Sequence, residues 1–220
     1  MSGLYVGNTP IYAPYVGNTM AHSVYVGDTM VWARDPVSNV LTASGTITLY
    51  PYYRFLDLIG LGGGASGQTG SGANSTAGRA GDIGDWIGVT LQRGVDFPED
   101  ATQLVVTVGG PTGRAPNSDL AAPVNGNPTA FSISGMGSPV VAAGGSGTKT
   151  VQGSGWQNAG GGVNFTYNGV TYTMGAEGAA NAAGNAPGGS GGGGNGGIFG
   201  NRTQGWEGAR GQAWSVQRNY

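Results

Sequence analysis

The chain has 220 residues, a net charge of −2 and 9% charged residues, against about 25% in an average soluble domain. Its 9 basic and 11 acidic side chains form no basic run, so it lacks the electrostatic signature of a protein that binds nucleic acid or an anionic membrane. The absence of cysteine excludes disulfides, thiolate metal sites and a cysteine nucleophile.

Glycine dominates the composition with 47 residues, which by itself is compatible with a disordered chain. Hydrophobic residues nevertheless make up 38% of the chain, which holds 5 Trp and 10 Tyr. We therefore expect glycine-rich loops carried by an ordered β framework. The N-terminus shows no secretion signal and no apolar run reaches membrane-spanning length, so we expect no membrane insertion and release from a host cell by lysis.

The chain opens with a five-residue unit that recurs at a spacing of ten, at residues 5–9, 15–19 and 25–29. Each unit reads Tyr-Val-Gly, then Asn or Asp, then Thr. Glycine followed by Asn or Asp predicts a type II′ turn between two short strands, since glycine readily takes the positive φ of the first central position.

Strands this short are unstable alone, and Pro10 and Pro14 cannot occupy central positions of a sheet. We therefore interpret residues 1–40 as an arm that docks into an assembly, with packing on its own domain as the alternative. The predicted assembly contacts are Tyr5, Val6, Tyr15, Val16, Tyr25, Val26, Val31 and Trp32.

Residues 41–220 form the second predicted domain, a glycine-rich β domain. Apolar or alternating runs predict strands at residues 45–50, 55–61, 86–93, 103–108, 130–133, 139–143 and 213–216. Asn168-Gly169 between two alternating runs, 163–167 and 170–174, predicts a type I′ hairpin. Short strands separated by turns indicate a β-sandwich or jelly-roll-like fold.

The tract 188–197 is almost pure glycine. Two structures fit it: a flexible loop, or polyproline-II-like segments packed side by side, because glycine alone lets backbones approach so closely.

Groups for catalysis are sparse. His22 is the one histidine and lies in the second repeat, and the carboxylates of Asp82, Asp85, Glu99 and Asp100 fit turns as well as they fit a glycosidase pair. A single calcium ion held by Asp57, Asp82 or Asp85 remains an alternative. We expect no catalytic residues, no cofactor and no dedicated metal site.

Aromatic side chains in glycine-rich segments can stack on sugar rings or anchor interfaces, although core packing is the alternative for each of them. The predicted host-surface contacts are Trp156, Asn195, Phe199 and Trp206.

The threefold repeat, closed by Val31-Trp32, resembles the N-terminal arm of minor tail proteins of phages that infect actinobacteria. Runs such as Leu58–Gly64, Leu104–Gly110, Val141–Gly147 and Gly208–Trp214 resemble the glycine-rich domain of phage tail tips and fibres. Pro111-Thr112 interrupts the glycine run that the family shows after the third strand pair.

The resemblance implies a virion structural protein of the tail. It would be a homotrimer, mounted on other tail-tip proteins by its N-terminus, with its glycine-rich loops turned to a glycan or polymer of the host envelope. Two other hypotheses stay open: a tail-associated enzyme that degrades glycans, and a capsid-decoration or surface-layer protein.

Overall fold

The structure is a computed structural model. It describes residues 4–6, 9–11, 14–17, 19–21, 23–149 and 155–220. These residues contain strands, turns and extended segments but no α-helix, which confirms the all-β prediction. It follows that no helix able to cross a bilayer occurs in the described ranges.

The three repeat units form three separate two-stranded antiparallel hairpins, called here the repeat hairpins. Their strands are β1 (Leu4–Val6) with β2 (Thr9–Ile11), β3 (Tyr15–Val16) with β4 (Thr19–Met20), and β5 (Ser23–Val26) with β6 (Thr29–Ala33). Gly17 and Gly27 have φ of +63° and +60°, as the predicted turn requires of its first central residue. Whether they act as a docking arm remains a prediction.

The rest of the chain carries ten strands within the described residues. They are β7 (Val37–Leu41), β8 (Gly45–Thr48), β9 (Phe55–Leu61), β10 (Trp86–Gln92), β11 (Gln103–Thr107), β12 (Thr129–Ile133), β13 (Val140–Ala142), β14 (Phe165–Tyr167), β15 (Val170–Tyr172) and β16 (Gln212–Arg218). The bounds of β9 match the predicted run of residues 55–61.

Two four-stranded antiparallel sheets face each other as a sandwich. Their strand orders are β10-β9-β16-β7 and β13-β12-β11-β8. Leu56 and Leu58 of the first sheet meet Leu104, Val106 and Phe131 of the second in one core cluster. Burying this apolar surface is the main force that holds the sheets together. The structure thus supports a sandwich, and its jelly-roll form remains a prediction.

Strand β7 was not predicted from the sequence, and it straddles the predicted domain boundary after residue 40. It pairs with β16 in the first sheet, with Val40 opposite Trp214. Its sequence gives a weak strand signal, because Val37–Leu41 contains only short apolar stretches divided by Ser and Asn. The division of the chain into two domains remains a prediction.

A bundle of glycine-rich segments, called here the glycine lattice, extends from the end of β9. The backbone N–H groups of residues 62–71 donate to carbonyls of three neighbouring segments in turn, so that every third residue bonds to the same segment. The acceptor segments are residues 76–85, 121–127 and 203–209, all antiparallel to 62–71. Three residues per turn without internal hydrogen bonds is the geometry of a polyproline-II helix.

Residues 188–197 form a second centre of the lattice. They lie parallel to residues 62–71, since Gly191, Gly194 and Gly197 donate to the carbonyls of Ala65, Gln68 and Ser71 at 2.8–2.9 Å. The tract is therefore an ordered, hydrogen-bonded segment, and the flexible-loop alternative is wrong.

The spacing of the lattice explains why glycine is needed. A Cβ on Gly193 would overlap the carbonyl oxygen of Gly78, and one on Gly67 would overlap that of Gly192. Backbone atoms cannot move away as a side chain can, so each such contact requires glycine or a change in the spacing of the segments.

Candidate functional site

The end of the glycine lattice farthest from the sandwich is formed by three turns, residues 72–76, 117–120 and 198–202, called here the distal tip. Residues 62–71 connect β9 to the first of these turns. Nine residue steps in a polyproline-II helix span about 28 Å. The lattice therefore holds the distal tip well away from the two sheets.

Hydrogen bonds join the three turns. Ser75 N–H donates to Gly197 O at 2.8 Å, and Gly200 N–H donates to Gly72 O at 2.9 Å. Asp119 Oδ1 accepts from Gly72 N–H at 2.7 Å and from Arg202 Nη1 at 3.0 Å. These contacts fix the turns relative to one another, so the distal tip is a single preorganised surface.

Each turn of the distal tip holds one non-glycine residue in the left-handed region: Ser75 (φ +55°), Leu120 (φ +51°) and Phe199 (φ +56°). This conformation costs an L-residue about 1–2 kcal/mol, and such strain concentrates at functional sites. Phe199 is 98% exposed, and its neighbour Ile198 is 53% exposed. An aromatic ring is thus presented to solvent on a rigid turn.

The other predicted host-surface residues lie elsewhere on the lattice. Asn195 is exposed, and its Oδ1 accepts a hydrogen bond from Asn181 Nδ2 at 2.7 Å. Trp156 and Trp206 lie beside the middle of the lattice, because their carbonyls accept from the N–H groups of Ala80 and Gly67. The structure therefore does not gather the four predicted residues into one site.

Both tryptophans have an arginine guanidinium over the ring, on the flanks of the lattice. Trp206 lies under the Arg114 guanidinium, 3.7 Å from carbon to ring centroid, and Arg114 also pairs with Glu207 at 3.0 Å. Burial raises the pKa of Glu207, but hydrogen bonds from the backbone and Arg114 outweigh it and leave that pKa below its usual value. The guanidinium carbon of Arg79 lies 5.9 Å from the ring centroid of Trp156, and Trp156 lines a cavity of about 250 Å³.

The aromatic side chains around the hairpin β14–β15 serve packing. Asn168 and Gly169 have φ of +47° and +75°, which confirms the predicted type I′ turn. An aromatic cover lies over the outer face of the first sheet and consists of Trp86, Phe165, Tyr167, Tyr172 and Trp214, whose neighbouring rings are 5.4–6.1 Å apart. For Tyr167 and Tyr172, which lie beside glycine-rich segments, packing is therefore the observed role.

The repeat hairpins present exposed tyrosine–valine pairs. Tyr15 and Tyr25 are 58% and 55% exposed, and Val16 and Val26 are 79% and 69% exposed. Of the other predicted assembly residues, Trp32 is half-buried in β6, which also contains Val31, while Tyr5 and Val6 lie in β1. Their role in assembly remains a prediction.

The third repeat hairpin approaches the sandwich. Ser23 and Tyr25 line a cavity of about 360 Å³ together with Tyr53, Arg54 and Glu99 of the main domain. Arg93 also lines it and donates to the carbonyls of Tyr50, Tyr53, Glu99 and Ala101 at 2.7–3.1 Å. Burial lowers the pKa of Arg93.

Two of the acidic residues considered for chemistry, Asp57 and Asp82, have partners within the fold. Asp57 pairs with Arg218 and accepts from Thr90, and Asp82 Oδ1 accepts from the N–H of Ile83 at 3.0 Å. His22 lies outside the described residues. Among those described, no three His, Cys, Asp or Glu side chains converge as a metal site would require.

Two comparisons bear on this architecture. Residues 42–217, which include strands β8–β15, all but the last residue of β16 and the glycine lattice, match the glycine-rich domain family. The Gene 32 protein of Mycobacterium phage D29 is 33% identical over 203 residues, which cover 84% of this chain and 85% of that protein. That relative is a phage protein, in agreement with the resemblance found in the sequence. The chain belongs to the glycine-rich domain family.

Proposed function

We propose that this protein is a virion structural protein of a phage tail tip, mounted by its repeat hairpins and attached to the host envelope through the distal tip. The similarity to a mycobacteriophage protein supports the phage assignment. In this proposal it is a homotrimer, works as part of the tail outside the cell, and catalyses no reaction.

The observation that carries the attachment role is the exposed ring of Phe199. A phenylalanine that is 98% exposed contributes nothing to its own core, and its backbone is held in an unfavourable conformation by the joined turns. Exposed apolar groups and strained backbone both concentrate at binding sites, which favours a role in which the ring is buried against a partner. Leu120 and Ile198, which are 40% and 53% exposed, add apolar surface to the distal tip.

The surroundings of Phe199 favour a glycan or another uncharged polymer as the host ligand. The charged side chains of the distal tip, Asp119 and Arg202, are paired with each other at 3.0 Å. The exposed residues Asn74, Asn117 and Asn201 supply hydrogen-bonding groups in the same three turns. Ring stacking with nearby amides is the usual way to bind a neutral sugar.

The test is adsorption of phage that carry Phe199→Asn. Asparagine tolerates the left-handed conformation better than most residues, so the turn is retained while the ring is lost. We expect the adsorption rate to fall about tenfold or more, while Phe199→Tyr restores it and Val163→Ser, a change at another exposed apolar residue, has no effect. Unchanged adsorption of correctly assembled Phe199→Asn virions would exclude the distal tip as the attachment surface.

A further inference from the structure

We infer that the repeat hairpins bind a partner that presents the same acceptor site at least three times, as a ring or tube of identical subunits does. This inference rests on the mounting role proposed above. It concerns the symmetry of the partner and the chemistry of each acceptor site.

The repeat units share one sequence pattern, and the described parts of the second and third have similar turns and exposed side chains, although Tyr25 also lines the cavity beside Tyr53. The second and third hairpins have glycines with nearly the same φ, +63° and +60°, at the same turn position. The exposed fractions of their tyrosines differ by only three percentage points, 58% against 55%. Equivalent surfaces on one chain can bind equivalent sites on a partner.

One unit offers too little surface for tight binding by itself. The exposed large apolar side chains among its described residues are one tyrosine and one valine, such as Tyr15 and Val16. A stable protein interface buries about 800 Å² on each partner, far more than two side chains provide. Linked units overcome this weakness, because each binding event raises the effective concentration of the next unit.

The unit also limits the geometry and chemistry of the acceptor. Ten residues span at most about 35 Å when fully extended, so neighbouring acceptor sites lie no farther apart than that. Asp28 is the one charged residue in the three pentapeptides. Each acceptor is therefore an apolar recess for a tyrosine ring, with a hydrogen-bond partner for its hydroxyl group.

The experiment uses the full-length chain and tails purified from a phage whose gene for this chain carries a stop codon. Each unit is altered separately by paired Tyr→Ser and Val→Ser changes at residues 5 and 6, 15 and 16, or 25 and 26, and then in combination. The matched control is Val163→Ser, a half-exposed valine outside the arm. Near-ultraviolet circular dichroism verifies that the main domain is intact.

We expect each altered unit to weaken binding to the tails by a similar factor, about 10- to 100-fold, whichever unit is changed. The loss should lie in faster dissociation, with little change in the association rate. If one unit accounts for the whole loss and the others have no effect, the multivalent partner is excluded. The inference also fails if the chain alone forms oligomers that the same changes abolish, because the partner is then a second copy.

Failure of the mounting role itself gives a different result. In that case the chain with all three units altered binds the tails as tightly as the unaltered chain.

Discussion

Asp57 and Arg218 form a two-point ion pair across neighbouring strands on the outer face of the first sheet. Arg218 Nε donates to Asp57 Oδ2 at 2.7 Å, and Arg218 Nη2 donates to Oδ1 at 3.0 Å. The side chain of Asp57 is only 4% exposed. Hydrogen bonding to Asp57 raises the pKa of Arg218 above its usual value. The pair joins β9 to β16 beneath the hairpin β14–β15.

Removing one partner of this pair should be more harmful than removing both. Arg218→Met leaves a buried carboxylate without its counter-ion, at an expected cost of about 3 kcal/mol in the free energy of unfolding. Adding Asp57→Asn removes the buried charge and should restore part of that loss. Urea unfolding of the single and double variants measures both effects. A double variant that is less stable than Arg218→Met would contradict the argument.

Two glycines of normal φ provide a matched test of the lattice. Gly193→Ala places a methyl group on the carbonyl of Gly78, whereas a Cβ on Gly113 meets no atom within 4 Å. We expect Gly193→Ala to cost about 3 kcal/mol or more, and Gly113→Ala to be neutral or stabilising by up to about 1 kcal/mol. Thermal unfolding distinguishes them. Equal effects would mean that the lattice does not require glycine at position 193.

Gly88 tests the contact between the sheet and its aromatic cover. A Cβ there would lie 2.6 Å from Tyr167 and 2.9 Å from Phe165. We expect Gly88→Ala to push the hairpin β14–β15 away from the sheet, at a cost of about 1–3 kcal/mol. Exposure of Trp86 should shift the tryptophan fluorescence to longer wavelength. Gly137→Ala, where a Cβ meets nothing within 4 Å, is the control and should leave the spectrum unchanged.

Alkaline pH should destabilise the fold through two tyrosines. Burial, followed by the charge of Asp57, raises the pKa of Tyr172; burial, followed by Tyr52, raises the pKa of Tyr53. A raised folded-state pKa means that the folded protein holds the phenolic proton more tightly than the unfolded chain does. Stability is therefore fully present below about pH 10, the pKa of an unperturbed tyrosine, and falls as the pH rises above it.

Thermal unfolding between pH 8 and pH 11 checks this expectation. The double variant Tyr53→Phe with Tyr172→Phe should show a weaker dependence on pH over that interval. An equally steep loss in the variant would show that other groups cause it.

The sequence alone predicted the elements whose signals are local. Residues 55–61 appear as one strand because a mostly apolar run favours an extended segment covered on both faces. Asn168-Gly169 specified its turn because both positions need positive φ. The repeat hairpins were predicted for a similar reason, because glycine occupies the same position in each ten-residue repeat.

The candidate site could be predicted only in part. Phe199 was selected because it lies in a glycine-rich segment, and it proved to be the exposed ring of the distal tip. Trp206 was selected by the same criterion but packs under Arg114, 92 positions before it in the chain. Such pairings depend on which segments become neighbours, and composition carries no information about that.

What the sequence determined by itself is therefore an all-β chain with three equivalent hairpins and long stretches able to adopt polyproline-II conformation. Only the tertiary structure decided that residues 62–71 and 188–197 lie side by side and that the turns 72–76, 117–120 and 198–202 meet at one end. The physical reason is that glycine contributes no side chain to specify its neighbour. The register of the lattice is instead set by backbone hydrogen bonds, whose partners are fixed only when the whole domain has folded.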